Sequence, residues 1–80
     1  MNYIATFFSH FGSVRFHKQC EERGWVAQMR PVPRDLSSSC GTCVYFTTEQ
    51  LPSVEELLTP ELEQLVKVEN GYEKLYMVED

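Results

Sequence analysis

Apolar positions along the chain recur first with a strand-like period, then a helical one, then a strand-like one again. Tyr3-Ile4-Ala5-Thr6-Phe7-Phe8 is β-branched, aromatic and almost continuously apolar. That predicts a buried, central strand bounded by Ser9. Ser9 is a candidate helix N-cap. From there to Arg23 the spacing is helical, with Ser13, Phe16, Cys20 and Arg23 on one face and Val14 alongside. Gly24 stands where a C′ glycine belongs. Gly12 inside this helix costs up to about 1 kcal/mol against alanine and predicts a frayed first turn.

Trp25 to Arg30 predicts a second strand, ended by Pro31 and Pro33, which cannot donate to a ladder. Arg34 to Thr42 is a loop by composition, with three serines and a glycine. Cys43-Val44-Tyr45-Phe46-Thr47-Thr48 is the most β-prone run in the chain and predicts a third strand. Ser53 to Glu56 fits a capping box, and Thr59-Pro60-Glu61 is a second helix start. With the stripe of Leu57, Leu58, Leu62, Leu65 and Val66, these predict two short helices or one broken helix between Ser53 and Lys67. Asn70-Gly71 is a turn signal, and Tyr72 to Val78 predicts a last, edge strand. The order β-α-β-β-α-β points to an α+β fold of ferredoxin-like type: a four-stranded antiparallel sheet with two helices on one face. The other face would then lack a cover, which suggests a homodimer formed through it.

Eighty residues make one small domain, 1–80. The net charge of −5 is unevenly spread, at +2 over residues 1–40 and −7 over residues 41–80. This argues against non-specific nucleic-acid binding, which needs a basic footprint, and leaves room for a local anion site in the first half. The glutamates of the second half read as a solvated acidic face or as a docking surface for a basic partner. No run reaches the roughly 18 apolar residues of a membrane helix, and the N-terminus does not read as a signal peptide. Three cysteines cannot all pair within one chain, so free thiols in the cytoplasm are the economical expectation. No cofactor is implied.

Cys40-Gly41-Thr42-Cys43 admits three readings. As a metal site it offers two of the four ligands zinc takes, so two chains would have to pool their pairs. As a thioredoxin-type pair it precedes a strand, whereas those pairs sit at a helix N-terminus. As a single reactive thiol, Cys40 needs positive charge or clustered donors around its thiolate. Ser37, Ser38, Ser39 and Gly41 supply successive N–H groups and three hydroxyls suited to an anion-cradling nest, and Arg34 is close enough to reach back. Cys43 can act as a resolving thiol if its side chain faces the loop. Cys20, on the apolar helix face, should be buried and inert. His17 would serve as a proton shuttle only if it folded toward the loop.

The string Arg30-Pro31-Val32-Pro33-Arg34-Asp35-Leu36-Ser37-Ser38-Ser39-Cys40-Gly41 resembles the signature of a family of small selenium/sulfur carrier-like proteins. The likeness extends upstream through Phe7-Phe8-Ser9-His10 and Gly24-Trp25, covering roughly residues 3–48. It implies a carrier rather than a turnover enzyme. Cys40 would hold sulfur or selenium as a persulfide or selenosulfide, with Arg34, the serines and Gly41 around the terminal anion. It would take the atom from a donor such as a cysteine desulfurase and pass it to an acceptor protein. Cys43 departs from the pattern, which has an apolar residue there, and a second thiol so near could attack the persulfide and leave a disulfide. The rival reading is a non-catalytic binding or regulatory module on the same fold, with Cys40 incidental.

Overall fold

The computed structural model describes residues 1–78. Its elements are β1 (Asn2–Phe7), α1 (His10–Glu22), β2 (Val26–Pro31), β3 (Thr42–Thr47), α2 (Val54–Leu57), β4 (Leu62–Val68) and β5 (Tyr72–Met77). They form one five-stranded sheet of order β2-β3-β1-β4-β5. Every pair of neighbours is antiparallel. The first four strands keep the ferredoxin-like order, and β5 adds a fifth at the edge.

β1 is central, as its continuous apolarity implies, with Tyr3 to Phe7 all buried. Tyr3, Ala5 and Phe7 face α1, where they meet Phe16 and Cys20 of the helix and Val44 and Phe46 of β3. Phe46 is the hub of this layer. Its ring stacks on Tyr3 at 5.3 Å and on Trp25 at 5.5 Å and meets Phe16 edge-on at 5.2 Å. Such pairs add about 0.5–1.5 kcal/mol each beyond the area they bury. α1 starts as expected, with the Ser9 hydroxyl accepting from the Gly12 N–H at 3.2 Å. It ends before Gly24, whose φ of +80° is the left-handed conformation a C′ glycine supplies.

The second half of the chain differs from the sequence expectation. The helical segment after Ser53 is the single turn α2, and Ser53 makes no side-chain cap. Residues 62–68 are not helix but the strand β4, hydrogen-bonded along β1. The sheet therefore has five strands rather than four. The physical reason is the free edge of β1. Its buried N–H and C=O groups need partners on that side too, and the place beside it, covered on both faces, suits Leu62–Val68, with Leu62, Leu65 and Val66 buried, better than the more exposed Tyr72–Met77, which is left to the edge. What imitates a helix here is a β-bulge. Thr6 stands opposite Gln64 and Phe7 opposite Leu62, so Glu63 is an extra residue on β4. The helix-facing Leu62 and Leu65 thus fall three apart, with Val66 next on the opposite face.

That opposite face is not bare, as expected from sequence, but capped at one end by the segment joining β2 to β3. Leu36 of this segment, 6% exposed, packs with Ile4, Cys43 and Val66, flanked by Val32 and Tyr45. Beyond the cap the face is a shallow, mixed groove along Asn2, Gln28, Arg30, Tyr45 and Thr47.

Candidate functional site

The cysteine loop is the connection of the β2–β3 hairpin, and its chemistry follows from how it is pinned. The Val32 N–H donates to the Gly41 carbonyl at 3.0 Å and closes the base. Pro33 to Leu36 makes a turn, with the Leu36 N–H on the Pro33 carbonyl at 3.0 Å. Leu36 is thereby driven into the sheet while Arg34 and Asp35 stay exposed at the tip. Gly41 returns the chain into β3 at φ +80°, a conformation costly for other residues.

The three serines each tie the loop to the sheet. The Ser37 carbonyl accepts from the Gln64 side-chain Nε2 at 2.8 Å. The Ser38 hydroxyl donates to the Phe7 carbonyl at 3.3 Å and accepts the Cys40 N–H at 3.3 Å. The Ser39 N–H and hydroxyl both donate to the Glu63 carboxylate, at 3.2 and 2.9 Å to Oε2. The Thr6 hydroxyl completes that cradle, donating to Glu63 Oε1 at 3.2 Å. Of the three serines only Ser39 donates to an anion, and that anion is the chain's own Glu63. The bulge explains this placement, since without the extra residue Glu63 would project toward α1. Arg34, expected to reach back, makes no hydrogen bond or ion pair among the described residues.

Beneath the loop a polar row crosses the sheet. In register from β3 through β1 to β4 stand Cys43, Thr6 and Gln64. All three are buried, at 0%, 0% and 2% exposure. The three thiols are unpaired and differ sharply in setting. Cys20 lies under α1, and burial pushes its thiol up to about 12, against a lesser opposing effect of Arg23. Cys43 faces the loop side, donates to the Pro31 carbonyl at 3.7 Å, and is pushed up to about 11 by burial, with Arg30 opposing. Cys40 alone is on the loop and partly exposed. His17 lies elsewhere: its Nε2 donates to the Ala27 carbonyl at 3.2 Å, four positions along β2 from the loop end.

Thr6, Glu63 and Gln64 are the residues that sequence reasoning missed. Glu63 and Gln64 read as the polar side of a helix between Leu62 and Leu65, and no motif marks them. The only usable signal was the run of strand-forming residues around them.

Among the described residues, no helix is long and apolar enough to cross a membrane, and no three His, Cys, Asp or Glu side chains converge as a metal site. A family model described as "Putative Se/S carrier protein-like" matches residues 2–73. Neither curated proteins nor solved structures yield a match.

Proposed function

Because the chain belongs to the Se/S carrier-like family, we propose that it carries sulfur or selenium on Cys40. The observation that favours Cys40 is the contrast among the thiols. It is the one within reach of a partner, whereas Cys20 and Cys43 are fully buried and held protonated. The nucleophile in such chemistry is the thiolate. In loading, the Cys40 sulfur attacks the outer sulfur of a donor persulfide, as on a cysteine desulfurase. The donor's S–S bond breaks, the donor thiolate leaves with the electron pair and takes up the proton Cys40 gave, and Cys40 becomes the persulfide. Delivery to an acceptor thiol repeats the exchange in the other direction, so no net oxidant is needed. Selenium in the outer position gives the selenosulfide by the same bond changes.

In this reading Gly41 and the serines set the loop's shape, and Ser38 holds the Cys40 backbone N–H. Arg34 is free at the loop tip to meet the terminal chalcogen or the partner. Cys43 serves as a resolving thiol only when the loop lifts. While Leu36 is seated, the burial that keeps Cys43 protonated protects the loaded persulfide from it. Three unpaired thiols favour a reducing compartment, and the reading takes that compartment to be the cytoplasm.

The test is intact-mass spectrometry after incubation with a cysteine desulfurase and cysteine, with and without reductant. A reducible gain of one sulfur atom that disappears in Cys40→Ser is the expected result. Its lifetime in Cys43→Ser should match or exceed that in the parent. No adduct at Cys40 in folded, reduced protein would overturn the proposal and favour the binding module.

A further inference from the structure

The part of the loop-side face that Leu36 leaves uncovered is an open groove of about 360 Å³. Strand register places its side chains. Thr47, Asn2 and Val68 stand in one row across the sheet. Gln28 and Tyr45 begin the next row, which ends beyond the groove at Lys74 on β5. Arg30 stands on β2, one ladder step toward the cysteine loop. It is the fixed point of the groove. Its guanidinium lies over the Tyr45 ring, 4.8 Å from the centroid. Its Nε and Nη2 both donate to Gln28 Oε1. Arginine only donates, so the Gln28 oxygen must face it, and the Gln28 Nε2 is left as a donor to the groove. The other edge of the guanidinium, Nη1 with the second Nη2 proton, has no partner among the described residues. The Thr47 hydroxyl donates to Asn2 Oδ1 at 2.8 Å, which leaves Asn2 Nδ2 as a further donor.

Charge on this face matches those donors. Its strand residues supply two cations, Arg30 and Lys74. Neither is ion-paired among the described residues, whose ion pairs are His17–Glu21 and Lys67–Glu69. Glu63, the acid on this side, is held at the loop end by Thr6 and Ser39. Arg30 and Lys74 stand on the two edge strands, β2 and β5. Four strand spacings of about 4.8 Å put them about 19 Å apart, too far for one small anion. A nucleic-acid strand is charged at every residue and would leave phosphates unmatched over the neutral stretch between them. A second copy laid face to face would set cation against cation.

From the pinned guanidinium and the spacing of the two cations we propose that this face docks an extended acidic segment of a partner protein, one carboxylate on the open edge of Arg30 and another at Lys74. In an extended chain, side chains i and i+6 share a face and stand about 20 Å apart, which matches. The segment lies over Tyr45, Asn2 and Val68, where the leftover amide donors meet its carbonyls. Arg30 is two residues before Val32, whose N–H closes the cysteine loop, so one end of the segment lies beside that loop. Docking needs no thiol, so it stands or falls apart from the carrier reading.

The test is NMR titration of the full, reduced chain at low salt with capped heptapeptides of threonine and valine. One carries glutamate at its first and seventh positions, one glutamate at its first and third, and one lysine at its first and seventh. The first should shift the Arg30 Nε and the Gln28 and Asn2 side-chain signals saturably. The closer glutamates should bind a few-fold more weakly, since they reach one cation at a time, and the lysine peptide should not bind. Arg30→Gln should weaken the first peptide about tenfold, the scale of a charge-assisted bidentate pair. Arg30→Lys should recover part of that loss, because an ammonium keeps the charge and lacks the fork. Lys74→Gln should cost about threefold, as for an exposed ion pair. Lys67→Gln should change nothing, since Lys67 shares the α1 face with Tyr3 and pairs with Glu69. Arg30 is exposed, and unchanged amide signals on α1 verify that each variant is folded. Acetate that shifts the same signals at the peptide's concentration overturns the proposal in favour of an isolated anion site. A tighter-binding oligouridylate overturns it in favour of single-stranded RNA. Equal binding of the two glutamate spacings, or binding that survives Arg30→Gln, overturns it outright.

Discussion

The two faces of the sheet are built from alternate residues of the same strands, yet they solve burial differently. The α1 face is sealed by aromatic rings, with Phe46 touching Tyr3, Trp25 and Phe16, and Phe7 on Phe16 at 5.3 Å. The loop face is covered by the β2–β3 segment, where Leu36 packs on Ile4, Cys43 and Val66 and the serines bond to Phe7, Glu63 and Gln64. One face holds the fold together. The other keeps Thr6, Gln64 and the Cys43 thiol buried under a segment with one buried apolar anchor, Leu36. Function is expected on the face whose cover is small, because local opening there does not require global unfolding.

The hardest blow to this comparison would come from Phe46→Ala. It removes a ring buried to 2% exposure at the centre of three aromatic contacts. A loss of about 3–5 kcal/mol is expected, read by urea unfolding. In the fraction that stays folded, Cys40 should react at the parent's rate. A loss below about 1 kcal/mol would mean that the α1 face is not the main source of stability.

Alkaline pH compares the faces through their buried thiols. Cys20 on the α1 face is raised from the ordinary 9.0 to about 12, and Cys43 on the loop face from 9.0 to about 11. Above pH about 9 the unfolded chain has released these protons while the folded chain retains them. The unfolded state then binds fewer protons, so stability falls as pH rises, by about 1.4 kcal/mol per pH unit for each thiol. The Cys43 contribution ends near its folded value of about 11, and that of Cys20 near about 12. Cys43→Ala should therefore roughly halve the thiol-dependent slope between those limits, in urea unfolding followed across that range. An unchanged slope would mean that water already reaches Cys43 beneath the loop.

The same contrast explains what was legible in the sequence. On the α1 face, pattern and structure agree: the central β1, the Ser9 cap, the buried Phe16 and Cys20 and the glycine stop are all where local rules put them. The edge strand after Asn70-Gly71 was also readable. The failures gather where one long-range event decides. The bulge at Glu63 spaces Leu62 and Leu65 like a helix, so β4 was read as helical, and Glu63 and Gln64 were lost with it. Gly12 shows the same effect in miniature. It reads as a helix weakness, but a Cβ there would lie 2.6 Å from Glu61 Cβ, so the glycine admits a crossing segment. Composition pointed to a serine-rich loop with donors for an anion, and in the structure Ser39 alone gives its N–H and hydroxyl to one. That anion, Glu63, from twenty-four positions along the chain, was not legible.

The smallest expected loss is that of Leu36→Ala, and it tests the comparison most directly. Leu36 is the loop's one buried anchor, and a flexible loop collapses around a truncation better than a core does. The expected cost is about 2 kcal/mol, at the low end for a buried leucine. Where that cost falls is the informative part. If Leu36 only holds the cover down, the variant opens locally, and Cys43 becomes alkylated by a neutral reagent under native conditions. A local opening of about 2 kcal/mol raises that rate roughly thirtyfold. Cys20, under α1, should be labelled far less than Cys43, because only global unfolding exposes it. Peptide mapping of the alkylated protein gives both rates from one sample. A rise confined to Cys43 places the hinge of this protein at the loop and makes Cys43 available to a loaded Cys40 only in the open state. An equal rise at both cysteines would mean that Leu36 belongs to the global core, and that the two faces stand or fall together.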